Sequence, residues 1–171
     1  MFKELNNLRV FLEDPERKIH VREYAKLFSI TPATASKLLN IFAQKGFLQK
    51  EIVQNIHFYS LRKTQVTKDL KVFYTIQKIR EIIPQLDVCF GKPTIVLFGS
   101  TSKGEDVPTS DIDLYIESEV KKVFDVKKVE KQLGKSVQLF VYQNIAQVPN
   151  KHLRQSIVNG IVLQGEIRGI K

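Results

Sequence analysis

The segment TIVLFGS at residues 94–100, followed ten residues later by DIDLYIE at residues 111–117, constrains this chain more than any other. An unbroken run rich in β-branched and large apolar residues reads as a buried strand, and the Gly99-Ser100 pair marks where it turns, into a short helix. In the second run, strand alternation puts Ile112 and Leu114 on one side and Asp111 and Asp113 on the other. Two carboxylates side by side repel each other unless a cation lies between them, and hard oxygen ligands suit Mg2+. Glycine at the strand end lets the backbone approach a ligand closely. N–H groups at the start of a helix favour phosphate, and Ser100 adds a hydroxyl. The order and spacing of these parts predict a site for a metal-bound nucleoside triphosphate.

The rest of the second half alternates helices and strands. Residues 85–90 finish a helix, 92–98 form a strand, and 110–117 form the second. A helix over 125–133 precedes a third strand, 136–142, with sequence SVQLFVY. A helix over 151–159 is stopped by Gly160, and residues 161–163 make a short last strand. That order predicts a small α/β layer with a mixed sheet.

The first half reads differently. Phe2, Leu5, Leu8, Phe11 and Leu12 fall at helical spacing, and Asp14-Pro15 ends that helix. Lys18 to Val21 reads as a short strand. Val21, Tyr24, Ala25 and Phe28 mark a second helix. Thr31 is a fitting N-cap for a third, with Pro32 at its first position and Gly46 as its stop. Two β-rich runs, 47–53 and 56–61, flank Gln54-Asn55 and read as a hairpin. Three helices and a hairpin outline a winged helix-turn-helix. In that reading the third helix lies in the DNA major groove. Thr34, Ser36, Lys37 and Asn40 are its candidate contacts, because Ser, Thr and Lys reach phosphates and Asn pairs with adenine. Gln54, Asn55 and His57 at the wing, with Arg62 and Lys63 after it, complete the candidate DNA-binding set. The predicted organisation is a winged helix over 1–63, a connecting helix over 64–83 with Leu70, Phe73, Ile76, Ile79 and Ile83 on one stripe, and an α/β domain over 84–171. The expected fold class is α+β.

Charge supports a polyanionic partner for the first half. Residues 1–83 hold 15 Lys and Arg against 8 Asp and Glu, a net +7, whereas residues 84–171 hold 12 against 10, a net +2. Cys89 is the single cysteine, so no intrachain disulfide or cysteine-based zinc site is expected, and it reads as a small core residue. The three histidines have no metal-ligand spacing. Lys121, Lys122, Lys127 and Lys128 read as a solvated face. No apolar run approaches membrane-spanning length and no signal-like leader opens the chain, so a cytoplasmic location without membrane contact is expected.

Gly99-Ser100, ten residues and Asp111-Ile112-Asp113 together resemble the signature of the DNA polymerase β-like nucleotidyltransferase superfamily. Lys103-Gly104 stands where small members carry Arg-Gly or Lys-Gly, and Ser110 completes Ser-Asp-Ile-Asp-Leu. LRQSIVNGIVLQGE, residues 153–166, also resembles the end of these domains. The resemblance covers about residues 84–171. It implies that Asp111 and Asp113 bind Mg2+ and act as the catalytic acids. Gly99, Ser100, Lys103, Gly104 and Ser110 would then surround the triphosphate of ATP or another nucleoside triphosphate. A hydroxyl would attack the α-phosphorus and release pyrophosphate.

One departure stands out. The resemblance implies a third carboxylate on the following strand, and Gln138 occupies that position. Glutamine is neutral and cannot serve as a base. Three readings follow. The first is a transferase moving AMP from ATP to a hydroxyl, since resembling proteins include antitoxins that adenylylate a HEPN-type partner. The second is a DNA-binding regulator with a degenerate, nucleotide-binding domain. The third is a non-catalytic antitoxin that caps its partner by surface contact. The helix over 64–83 also offers a face for a homodimer.

Overall fold

The computed structural model describes residues 2–120 and 122–169, and the expectations for the Phe2 side chain and for Lys121 lie outside what it describes. The chain divides into two compact units, Met1–Lys71 and Val72–Lys171. Both mix helices with a sheet, so the fold is α+β.

In the first unit, α1 spans Phe2–Glu13, β1 Ile19–His20, α2 Val21–Leu27 and α3 Pro32–Gln44, followed by β2 at Leu48–Val53 and β3 at Ile56–Leu61. The strands form an antiparallel sheet in the order β1-β3-β2. Leu8, Phe11, Tyr24, Ala35, Leu39, Phe42 and Leu48 are buried, and their helical spacing explains why α1, α2 and α3 each bury one face. Thr31 caps α3 as expected, its side chain accepting from the Thr34 N–H. The strand expected over Lys18–Val21 is cut to two residues. His20 Nδ1 accepts from the Glu23 N–H, so His20 is the N-cap of α2 and Val21 is already helical.

The division between units falls within α4, Gln65–Arg80. The single helix expected over 64–83 stops at Arg80. Glu81 and Ile82 close a tighter turn onto Lys78 and Ile79, and α5, Ile83–Phe90, starts with Pro84 in its first turn. Ile82, rather than Ile83, is therefore fully buried.

The second unit continues with β4 at Thr94–Phe98, β5 at Ile112–Glu117, α6 at Val126–Leu133, β6 at Val137–Tyr142, α7 at Lys151–Val158 and β7 at Ile161–Gln164. The sheet order is β6-β5-β4-β7. Only β5 and β6 run parallel, and α6 is the crossover between them. Alternation divides the strand residues between two cores. Ile95, Leu97, Ile112, Leu114, Ile116 and Val137 pack with Leu86, Phe90, Val129 and Leu133. Val96, Phe98 and Tyr115 pack with Ile145, Val148 and Ile157. Both faces of the sheet are covered, so the strands are almost continuously apolar. Asp113 interrupts that pattern, lying between Ile112 and Leu114 and thus on the face of Phe98 and Tyr115. Cys89 is partly buried against the first core. Lys122, Lys127 and Lys128 are exposed, as a solvated face requires.

Two polar contacts fix the ends of this sheet. The Lys135 ammonium, largely buried, pairs with buried Asp106 and donates to the Val107 carbonyl, tying the loop ahead of Asp111 to the turn ahead of β6. At the opposite end Glu117, whose side chain is fully buried, accepts from the Tyr115 hydroxyl at 2.8 Å and from Arg168 Nε at 2.8 Å. No helix among the described residues is long and apolar enough to cross a membrane.

Candidate active site

The antiparallel β4–β5 pairing sets Phe98 opposite Asp113, so the residue after Phe98, Gly99, arrives directly beside that aspartate. Gly99 has φ +76, the left-handed region, and a Cβ built on it would lie 2.2 Å from Asp113 Oδ2. Only glycine leaves the carboxylate in place there.

The connection from Gly99 to Asp111 is held by its own polar groups. Ser102 Oγ donates to the Gly99 carbonyl at 2.8 Å, and Thr101 Oγ1 donates to the Asp111 carbonyl at 3.1 Å. The helix expected after Ser100 is a single 3₁₀ turn, Thr101–Lys103, closed by Gly104 in the left-handed region. The Glu105 N–H returns to the Ser100 carbonyl at 3.0 Å, which prevents a longer helix. A turn this short lacks a helix macrodipole, so any phosphate would be held by local groups rather than by a helix end. Ser110 donates its N–H to the Val107 carbonyl at 2.9 Å, and its Oγ accepts from the Val107 N–H at 3.0 Å. That turn delays the second strand, which starts at Ile112 rather than at Ser110. Asp111 therefore lies just ahead of the strand, not within it.

Asp111 and Asp113 nevertheless act on each other. The Asp113 pKa is raised, first by burial and then by the neighbouring Asp111 charge. The folded protein thus binds this proton more tightly than the unfolded chain does. Stability is lost as pH climbs from the unfolded carboxylate range through the raised folded value. Asp113→Asn removes that cost while keeping the side chain's shape. The variant is expected to melt higher than the wild type at neutral pH, without ligand. The advantage should shrink as pH falls from the raised folded value toward the ordinary carboxylate range, and be gone below about 4. Calorimetry across that range checks it, and equal midpoints at neutral pH would refute it.

The third strand completes the constellation. The parallel register of β5 and β6 sets Gln138 opposite Asp113, and Gln138 Nε2 donates to Asp111 Oδ2 at 2.5 Å. Gln138 therefore lies beside both aspartates on the neighbouring strand. Among the described residues no group of three His, Cys, Asp or Glu side chains stands together. Asp111 and Asp113 are the residues that would hold a hard divalent cation, and the absence of a side chain at Gly99 leaves room for Asp113. Of the other candidates, Ser100 is half-buried at the mouth of this turn, Lys103 is exposed beside it, and Gly104 is buried.

A family model for the nucleotidyltransferase domain matches residues 76–164, more than half of the chain. The chain belongs to the nucleotidyltransferase domain family. The match contains β4, the Gly99 turn, Asp111, Asp113 and Gln138, and it also takes in the end of α4. Curated proteins yield no match. Among solved structures, a possible transcriptional regulator from Methanosarcina mazei Go1 is similar over 52% of this chain and 78% of that one, at 15% identity and a TM-score of 0.35. A likeness that slight carries no argument for the nucleotidyltransferase domain or for the unit before it.

In the first unit, Thr34 and Lys37 are exposed on α3. Ser36 and Asn40 are half-buried and already engaged: Asn40 Oδ1 accepts from the Tyr59 hydroxyl at 3.0 Å, and Asn40 Nδ2 donates to Ser36 Oγ at 3.5 Å. Gln54 and Asn55 form the hairpin turn with φ of 50° and 61°. His57 is exposed on that hairpin, and Arg62 is exposed just after it. Lys63 pairs with Glu16 at 2.6 Å. The hairpin end also exposes Ile52, Val53 and Ile56, 61%, 43% and 48% accessible. Sequence reasoning passed over these three because alternation alone did not say which hairpin residues lay beyond the core.

Proposed function

We propose that the chain is a Mg2+-dependent nucleotidyltransferase that moves a nucleoside monophosphate, AMP from ATP, to a hydroxyl group, with a DNA-binding winged helix as its first unit. The observation that carries this reading is the Gly99 turn laid against Asp113, with Asp111 beside it. That arrangement offers two carboxylates for a cation next to a close-approach backbone turn for phosphates. Catalysis at such a site is mostly positioning and charge neutralisation. Asp111 and Asp113 would hold Mg2+, while Gly99, Ser100 and Lys103 would line the triphosphate. Ser110 and Gly104 would shape the loop between them. The acceptor we favour is a protein hydroxyl on a HEPN-type partner. The test uses ATP labelled at the α-phosphate. Label should pass to protein in the presence of Mg2+, and Asp111→Ala/Asp113→Ala should abolish the transfer. Equal transfer by both proteins would reject the assignment.

A second reading is a DNA-binding regulator whose transferase domain binds nucleotide without turnover. It is favoured by Gln138, which brings an amide where a third acid would complete the site. Its DNA arm rests on exposed Thr34 and Lys37 and on the basic first half. DNA binding is expected to weaken steeply with salt, and Lys37→Ala should lower the slope of log affinity against log salt by about 1. An unchanged slope would remove Lys37 from the contact set.

A further inference from the structure

We infer that the site accepts one divalent cation with its nucleotide and excludes a second, because the Gln138 amide stands where the second would bind. This rests on the nucleotide site proposed above and adds how it is loaded. Phosphoryl displacements that use two cations place them about 4 Å apart, each held by oxygen donors. A carboxylate shared by both cations must offer a lone pair to each. Here one Asp111 oxygen, Oδ2, already accepts from Gln138 Nε2 at 2.5 Å. The orientation of that amide is fixed by chemistry. A carboxylate only accepts, so the NH2 end and not the carbonyl end must face it. The hydrogens therefore face the Asp111 oxygen that a second cation would share. They neutralise part of the Asp111 charge without bringing any negative charge of their own.

The backbone that carries the exposed Gln138 side chain is held in place. The Ile112 N–H donates to the Ser136 carbonyl at 2.9 Å, and the Val137 N–H donates to Glu130 Oε1 at 3.0 Å, so the start of β6 is fixed beside β5. The register then sets Gln138 opposite Asp113. No third carboxylate, histidine or cysteine joins Asp111 and Asp113 among the described residues. Two carboxylates balance one divalent cation. A second would meet an N–H donor where it needs an oxygen ligand.

The experiment counts cations. The full chain is titrated with Mn2+ in the presence of a non-hydrolysable ATP analogue, and bound Mn2+ is read by electron paramagnetic resonance against a protein-free blank. The wild type is expected to hold one Mn2+ per chain, and Gln138→Asp and Gln138→Glu two. Two Mn2+ in the wild type would overturn the inference and leave the nucleotide site standing. One Mn2+ in both folded variants would also overturn it, since the amide would not be what excludes the second. The wild-type count decides alone should either variant fail to fold. If the wild type binds neither Mn2+ nor analogue better than Asp111→Ala/Asp113→Ala, the nucleotide site falls and the inference with it.

Discussion

Gly99→Ala is expected to lower cation-dependent nucleotide affinity on the order of 100-fold, equivalent to about 2.7 kcal/mol, while leaving the fold nearly intact. Two effects separate here. The backbone at Gly99 has φ +76, so an alanine costs about 1 kcal/mol of local strain. Its Cβ would also stand 2.2 Å from Asp113 Oδ2. That atom is the far end of a rotatable side chain, so the collision is relieved by turning the carboxylate away rather than by moving the strand. The cation then loses one of its two acids. The check is a pair of measurements, nucleotide affinity with Mg2+ and the thermal midpoint. Unchanged affinity would mean that Asp113 has no part in binding. A collapse of the midpoint together with affinity would mean that the turn is architectural instead.

Gly160→Ala is expected to do the opposite, destabilising the second unit by about 3 kcal/mol, or on the order of 10–20 °C, before any effect on the site. A Cβ at Gly160 would meet the Leu97 carbonyl at 2.6 Å, Val96 Cγ1 at 2.8 Å and the Ile157 carbonyl at 2.9 Å. Two of these three are backbone atoms, one in the central strand β4 and one at the end of α7. Neither can rotate aside. Relief requires moving α7 off the sheet, which opens the core of Val96, Phe98 and Ile157. Thermal unfolding of the two glycine variants side by side tests the contrast. A Gly160→Ala midpoint within a few degrees of wild type would show that α7 shifts at little cost.

The meeting of the Gly99 turn with the two aspartates follows from local sequence. Gly99-Ser100 sits at the end of one strand and Asp111-x-Asp113 at the start of the next, and antiparallel neighbours joined by a short connection must meet. The alternating apolar residues of β5, the Thr31-Pro32 start of α3 and the Gly160 stop after α7 were legible for the same reason. Each is a short-range preference of a few adjacent residues. Errors in the sequence reading came where one side chain redirected the backbone. His20 capped α2 and cut β1 short, and Ser110 tied a turn to Val107. Polar side chains of this kind satisfy backbone groups in more than one way, so pattern alone does not choose among them.

What the sequence determined by itself is the pair of strands, the glycine between them and the two acids that follow. What only the tertiary structure decided is the company those acids keep. Gln138 reaches Asp111 across 27 positions of chain, Lys135 reaches Asp106 across 29, and Arg168 reaches Glu117 across 51. No local propensity encodes such pairs. They exist because α6 carries the chain over to lay β6 parallel to β5, and because packing on both faces of the sheet fixes the register to the residue. A slip of one residue would turn Gln138 away from the aspartates and bring an apolar neighbour to them.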